Sequence, residues 1–69
     1  MIQTEIPLEH QIAAARREVR LRRSVYPNLV ARGRMLQETA DRELACMQAI
    51  VTTLTQVLEQ TQMELFSHE

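Results

Sequence analysis

A chain of 69 residues with a net charge of −1 makes one domain at most, and a lone core is marginal at this size because only about 60% of the unfolded surface leaves water. The single cysteine, Cys46, rules out an internal disulfide, and His10 and His68, near opposite ends with no cysteine beside them, make a poor zinc set, so a second copy of the chain is the expected source of further burial. No stretch reaches the ~18 apolar residues of a membrane span and the N-terminus does not read as a signal peptide, which predicts a cytoplasmic protein without membrane association.

Residues 1–7 form a lead-in segment. Thr4 is a candidate helix cap, and Pro7 suits a first helical turn, where its missing N–H costs nothing. Glu5 and Glu9 suit the positive end of a helix dipole. A first helix is predicted over residues 8–32. Its apolar positions, Leu8, Ile12, Ala15, Val19, Tyr26 and Leu29, recur in steps of three, four and seven, and Arg22 occupies the vacant seam position between Val19 and Tyr26. Ala13, Ala14, Leu21 and Val25 widen the apolar face, as in a helix with more than one neighbour.

All eight basic residues are arginine. Residues 10–34 carry seven of them against one acid, Glu18, for a local charge of +6, whereas residues 35–69 carry −5. Such asymmetry fits two oppositely charged helices that pair in a hairpin or dimer, and it also fits a surface for nucleic acid. Arg16, Arg20 and Arg23 share one side of the helix, where like charges repel by a few tenths of a kcal/mol per pair unless a negative partner offsets them. Arg22 reads as a side chain whose stem packs at the seam while its head stays wet.

Tyr26-Pro27 interrupts the helix, because proline disfavours the α conformation before it and blocks the hydrogen bond to residue 23. Leu29 and Val30 stay in phase with the stripe, which predicts a kink and continuation rather than a stop. Tyr26 reads as a half-buried ring with a wet hydroxyl, and alternatively as a recognition residue. Gly33, the single glycine, marks the helix end, since glycine takes a left-handed conformation without strain. Residues 33–36 form the turn, short enough to make the flanking helices antiparallel.

A second helix is predicted over residues 37–65, with 66–69 as a tail. Glu38, Asp41 and Glu43 suit its first turns, but no Ser, Thr, Asp or Asn stands at the N-cap. The stripe Ala40, Leu44, Met47, Val51, Leu54, Leu58 and Leu65 is the strongest periodic signal in the chain, and Ile50 and Val57 add a second edge. Cys46, next to Met47, reads as a buried small hydrophobe. The hydroxyls of Thr52, Thr53 and Thr55 are expected to bond back to the helix's own carbonyls. Leu58, Leu65 and Phe66 outreach the first helix and are expected to be exposed in a monomer.

The segment from Val25 to Met35, Val-Tyr-Pro-Asn-Leu-Val-Ala-Arg-Gly-Arg-Met, followed by Ala40-Asp-Arg-Glu and then Met47 and Ile50, resembles small helical proteins of bacteriophage and prophage genomes. The likeness covers residues from about 19 to 54. It implies a phage context and a host cytoplasm, and it carries over no functional residue. Where that group has Ser or Thr before the second helix, this chain has Leu36.

The expected architecture is all-α: an antiparallel helical hairpin that dimerises into a four-helix bundle, with Leu8, Ile12, Val19, Leu44, Met47, Val51, Leu54 and Leu58 as dimer core. No catalytic, metal or phosphate-binding motif is present, so no cofactor and no enzymatic activity are expected. Neighbouring carboxylates such as Asp41 and Glu43 do not face one another on a helix. The expected function is that of a small interaction protein acting through a helical surface on a protein partner. The alternative is a nucleic-acid-binding accessory factor. In either case Arg16, Arg17, Arg20, Arg23, Tyr26, Arg32 and Arg34 are the candidate partner-binding residues.

Overall fold

A computed structural model of the chain describes residues 5–67, apart from the side chains of Phe66 and Ser67; the candidate cap Thr4 and His68 lie outside this range. The described residues form two helices and no strand, α1 over Leu8–Ala31 and α2 over Gln37–Ser67. The two pack against each other as an all-α hairpin.

Pro7 is the N-cap of α1 and not a member of its first turn. Its φ of −56° suits the ring, and its ψ of 145° holds it extended. The Pro7 carbonyl accepts the N–H of His10 at 3.0 Å and of Gln11 at 3.1 Å. Gln11 Nε2 donates to the Ile6 carbonyl at 2.8 Å and so ties the lead-in to the helix. Proline has no side-chain acceptor, and the first turn of α1 has no side-chain cap. Farther on, Pro27 is accommodated inside α1, which runs past it to Ala31. Leu29 and Val30 beyond it remain half-buried, in phase with the stripe.

The helix ends in a Schellman motif. Gly33 N–H donates to the Val30 carbonyl at 3.0 Å and Arg34 N–H to the Leu29 carbonyl at 2.9 Å. That pattern needs a left-handed residue between them, and Gly33 supplies it with φ at +72°. Residues 32–36 complete the connection. Leu36 precedes α2, and its carbonyl accepts the Ala40 N–H at 3.0 Å. Its side chain offers no acceptor to the orphan N–H groups of the first turn. Gln37 Nε2 instead donates to Asp41 Oδ1 at 2.9 Å along the surface. At the far end α2 runs to Ser67, two residues past the expected limit.

Tyr26, Pro27 and Val30 late in α1 share a groove with Gln37, Ala40 and Asp41 early in α2, while Arg16 and Val19 share one with Gln48 and Val51. The helices are therefore antiparallel. The seam follows the stripes read from the sequence. Ile12, Ala15, Val19 and Ala40 are its buried apolar side chains, and Leu8, Tyr26, Leu29, Leu44, Met47, Val51, Leu54 and Leu58 are half-buried. All eight positions expected at a dimer core thus lie on the seam within one chain. Two of the four buried side chains are alanine. Fully burying an isoleucine or valine contributes only about 1.5–3 kcal/mol, so four such residues make a thin core.

Two expectations for α2 are corrected. Cys46 is exposed, because it lies on the flank next to the stripe and α1 does not reach it. Leu58 is half-buried, because the register places it level with Leu8 at the start of α1. The overhang begins one residue later. From Glu59 to Leu65 every side chain is exposed, and Leu65 keeps 68% of its surface in water. The part of α2 beyond Leu58, residues 59–67, is about 13 Å long at 1.5 Å per residue.

The threonines divide. Thr52 Oγ1 donates to the Gln48 carbonyl at 3.1 Å, and Thr61 Oγ1 to the Val57 carbonyl at 2.9 Å. Thr55 Oγ1, turned toward the seam, is buried and has no partner.

Candidate functional site

A two-helix hairpin has two broad faces, one on each side of its seam. Helical spacing decides which residues share a flank of one helix, since each residue turns the direction by about 100°. Which flank of α1 joins which flank of α2 follows from the antiparallel arrangement of the two stripes, and the grooves between the helices show it directly.

On one face the arginines gather. Arg16, Arg20 and Arg23 stand along one flank of α1 at i, i+4 and i+7. With Val19, Gln48 and Val51 they line an open groove of about 280 Å³. Arg23 also lines a second groove of about 320 Å³, with Arg22 from the seam and with Tyr26, Pro27, Val30, Gln37, Ala40, Asp41 and Leu44. The two grooves meet at Arg23 and make a trough from Arg16 to Val30, about 21 Å along the helix. Its floor is apolar, with Val19 buried and Val51 and Leu44 half-buried. Arg16, Arg20 and Arg23 are exposed, and none has a carboxylate within 4 Å among the described residues.

The absence of internal pairing has a cause in the sequence. From Leu44 to Leu58 α2 carries no charged residue, and this is the stretch that lies against α1 from Leu8 to Arg22. The acids of α2 sit at its two ends, Glu38, Asp41 and Glu43 near the turn and Glu59 and Glu64 near the overhang. The opposite charges of the two helices are thus out of register in the hairpin. Arg22 is the exception. Its Nε donates to Glu18 Oε1 at 2.8 Å, and its Nη1 lies 3.8 Å from Glu43 Oε1 across the seam. The hydrogen bond to Glu18 raises the Arg22 pKa above its ordinary value. Burial partly opposes this, and Tyr26, the Glu18 charge and Glu43 add to it.

The Arg22–Glu43 pair marks the second face. Glu18, Leu21 and Val25 follow one another on that flank of α1, and Glu43, Cys46, Ile50 and Val57 on the matching flank of α2. Leu21 is 55% exposed, Ile50 46% and Val57 45%. On α2 this face is uncharged from Leu44 to Leu58, while on α1 it carries Glu18 and Arg22 at mid-helix, and Leu21 shares a shallow depression with Ala14, Arg17, Glu18 and Arg20.

The seven arginine and tyrosine positions read from the sequence as one partner-binding set therefore separate. Arg16, Arg20 and Arg23 share the trough. Tyr26 is half-buried at its edge. Arg17 points away from α2, and Arg32 and Arg34 are exposed at the turn. Sequence reasoning names Leu21, Val25, Ile50 and Val57 as edges of the two stripes but does not join them into one face. The signal was the fifteen-residue run without charge in α2. Among the described residues no three His, Cys, Asp or Glu side chains cluster as metal ligands would, and no helix is long and apolar enough to cross a membrane.

No family model, curated protein or solved structure matches the chain.

Proposed function

We propose that this chain is a non-enzymatic helical interaction protein that works as a pair of hairpins, joined through the face that carries Leu21, Val25, Cys46, Ile50 and Val57. The observation that carries this reading is surface area. A compact monomer of 8.0 kDa exposes roughly 4,500 Å², whereas this hairpin exposes 5802 Å². The excess is larger than the ~800 Å² that each partner gives to a protein interface of standard size. An uncharged face on α2 is where that surface is most readily covered, because charge is what ordinarily keeps soluble surfaces apart. Joining two hairpins there makes the four-helix bundle expected from the widened apolar stripes. Asp41 and Glu43, the closest acids in sequence, lie on different faces, which speaks for an adhesive role over acid–base chemistry. A phage-encoded adaptor acting in the host cytoplasm is the setting the sequence resemblance implies.

Solution mass by light scattering tests this. The expected result is twice 8.0 kDa for the native chain and a single chain mass for Ile50→Glu, with helicity retained in both. Ile50 is nearly half exposed in the hairpin, so a carboxylate there is tolerated by one chain and rejected by a pair. A native chain that stays monomeric at all concentrations overturns the reading.

A further inference from the structure

The arginine trough lies on the face opposite the proposed joint and is left free by it. We infer that this trough is a docking site for an acidic amphipathic helix of another protein. The inference rests on the chain being an interaction protein, but not on its self-association.

Three features of the trough define the occupant. Its rim on the α1 side is cationic, with Arg16, Arg20 and Arg23 spread over about 10 Å and no carboxylate within 4 Å of them among the described residues. Its floor is apolar, with Val19, Val51 and Leu44. Its far bank is neutral beside Arg16, Arg20 and Val19, with the half-buried Gln48, and carries one carboxylate, Asp41, at the turn-proximal end. A helix with an apolar ridge for the floor and carboxylates at i, i+4 and i+7 along one edge satisfies all three. Guanidinium forks pair with carboxylates in two-point geometry, and the helical spacing of the arginines matches that of such acids. The trough's length of about 21 Å holds four turns of helix. Nucleic acid fits less well. A phosphate backbone gains nothing from a valine floor, and Asp41 at the turn-proximal end of the same trough repels phosphate. Asp41 instead favours a neutral or basic residue beyond the acidic edge of the docked helix.

The test uses the full chain and a labelled synthetic helix with a leucine ridge and glutamates at i, i+4 and i+7, followed by anisotropy at low and high salt. Binding should weaken at high salt. Arg20→Glu should weaken it by about tenfold or more, as reversal of a central charge pair does. Arg17→Glu, the same change on the side turned away from α2, should leave it unchanged. Circular dichroism confirms that both exposed substitutions keep the fold. Absence of binding, equal loss in the two variants, or displacement of the peptide by an equal concentration of duplex DNA or single-stranded RNA overturns the inference. Mass measured on the same samples separates the two proposals. A monomer that binds the peptide defeats only the pairing, and a dimer that ignores it defeats only the trough.

Discussion

Arg22 in α1 and Glu43 in α2 form the ion pair that links the two helices among the described residues, Nη1 to Oε1 at 3.8 Å. Arg22 stands where the stripe calls for an apolar side chain, between Val19 and Tyr26. Glu18, one turn earlier, holds its Nε at 2.8 Å in the favourable order of acid before base. Half-buried ion pairs of this kind often fix a register at a cost in stability. Arg22→Leu should therefore raise the melting temperature and make it less sensitive to salt. A melting temperature several degrees lower would show that the pair stabilises the seam outright.

Gly33 should resist substitution for a purely conformational reason. A Cβ built at this position meets nothing within 4 Å, so no clash is involved. Its φ of +72° is the obstacle. Gly33→Val should cost about 1–2 kcal/mol, the usual penalty for a left-handed L-residue, and Gly33→Asn distinctly less. Equal melting curves for the two variants would remove the left-handed turn from the account.

The start of α2 is improvable. Leu36 is 69% exposed and gives the first turn no side-chain acceptor. Leu36→Ser loses little burial and should stabilise the chain by about 0.5–2 kcal/mol, the range found for good N-caps over apolar ones. Urea denaturation reads this as a higher midpoint at unchanged slope. No gain would mean that the turn holds residue 36 in a conformation unable to cap.

Thr55 offers a second gain. Its hydroxyl is buried without a partner, and such a group costs about 1–3 kcal/mol in desolvation. Thr55→Val keeps the branched shape and removes the hydroxyl, so it should raise stability by roughly 1 kcal/mol. Thr52→Val, where the hydroxyl already donates to Gln48, is the comparison and should gain less. The reverse order would mean that the Thr55 hydroxyl finds a partner in solution.

Much of this architecture can be read from the residues alone. The stripes from Leu8 to Leu29 and from Ala40 to Leu58 predict the seam, Arg22 included, because helical periodicity fixes angular position around an axis. Gly33 predicts the turn because few other residues accept its backbone. Pro7 was harder to place, since one proline suits both the N-cap and the first turn, and only its ψ separates them. The two faces follow from the same stripes once the helices are antiparallel, because opposed right-handed helices bring the flank after the stripe on α1 beside the flank after the stripe on α2, Arg20 beside Gln48. What the stripes do not give is how far α1 covers each flank of α2, and Cys46, next to Met47, falls on the uncovered part.

The mismatch in length between the helices also orders events in time. Contacts in a hairpin are local near the turn and grow more distant toward the open end, so folding is fast and closes from the Schellman turn outward. Each rung from Ala40 to Leu58 has an opposite number on α1, and then the ladder runs out. From Glu59 to Leu65 the side chains of α2 stand exposed, beyond the reach of α1. Isolated helices of that length are marginal in water. Their amides should exchange with solvent first, and slow exchange there at high protein concentration would time the arrival of a second molecule.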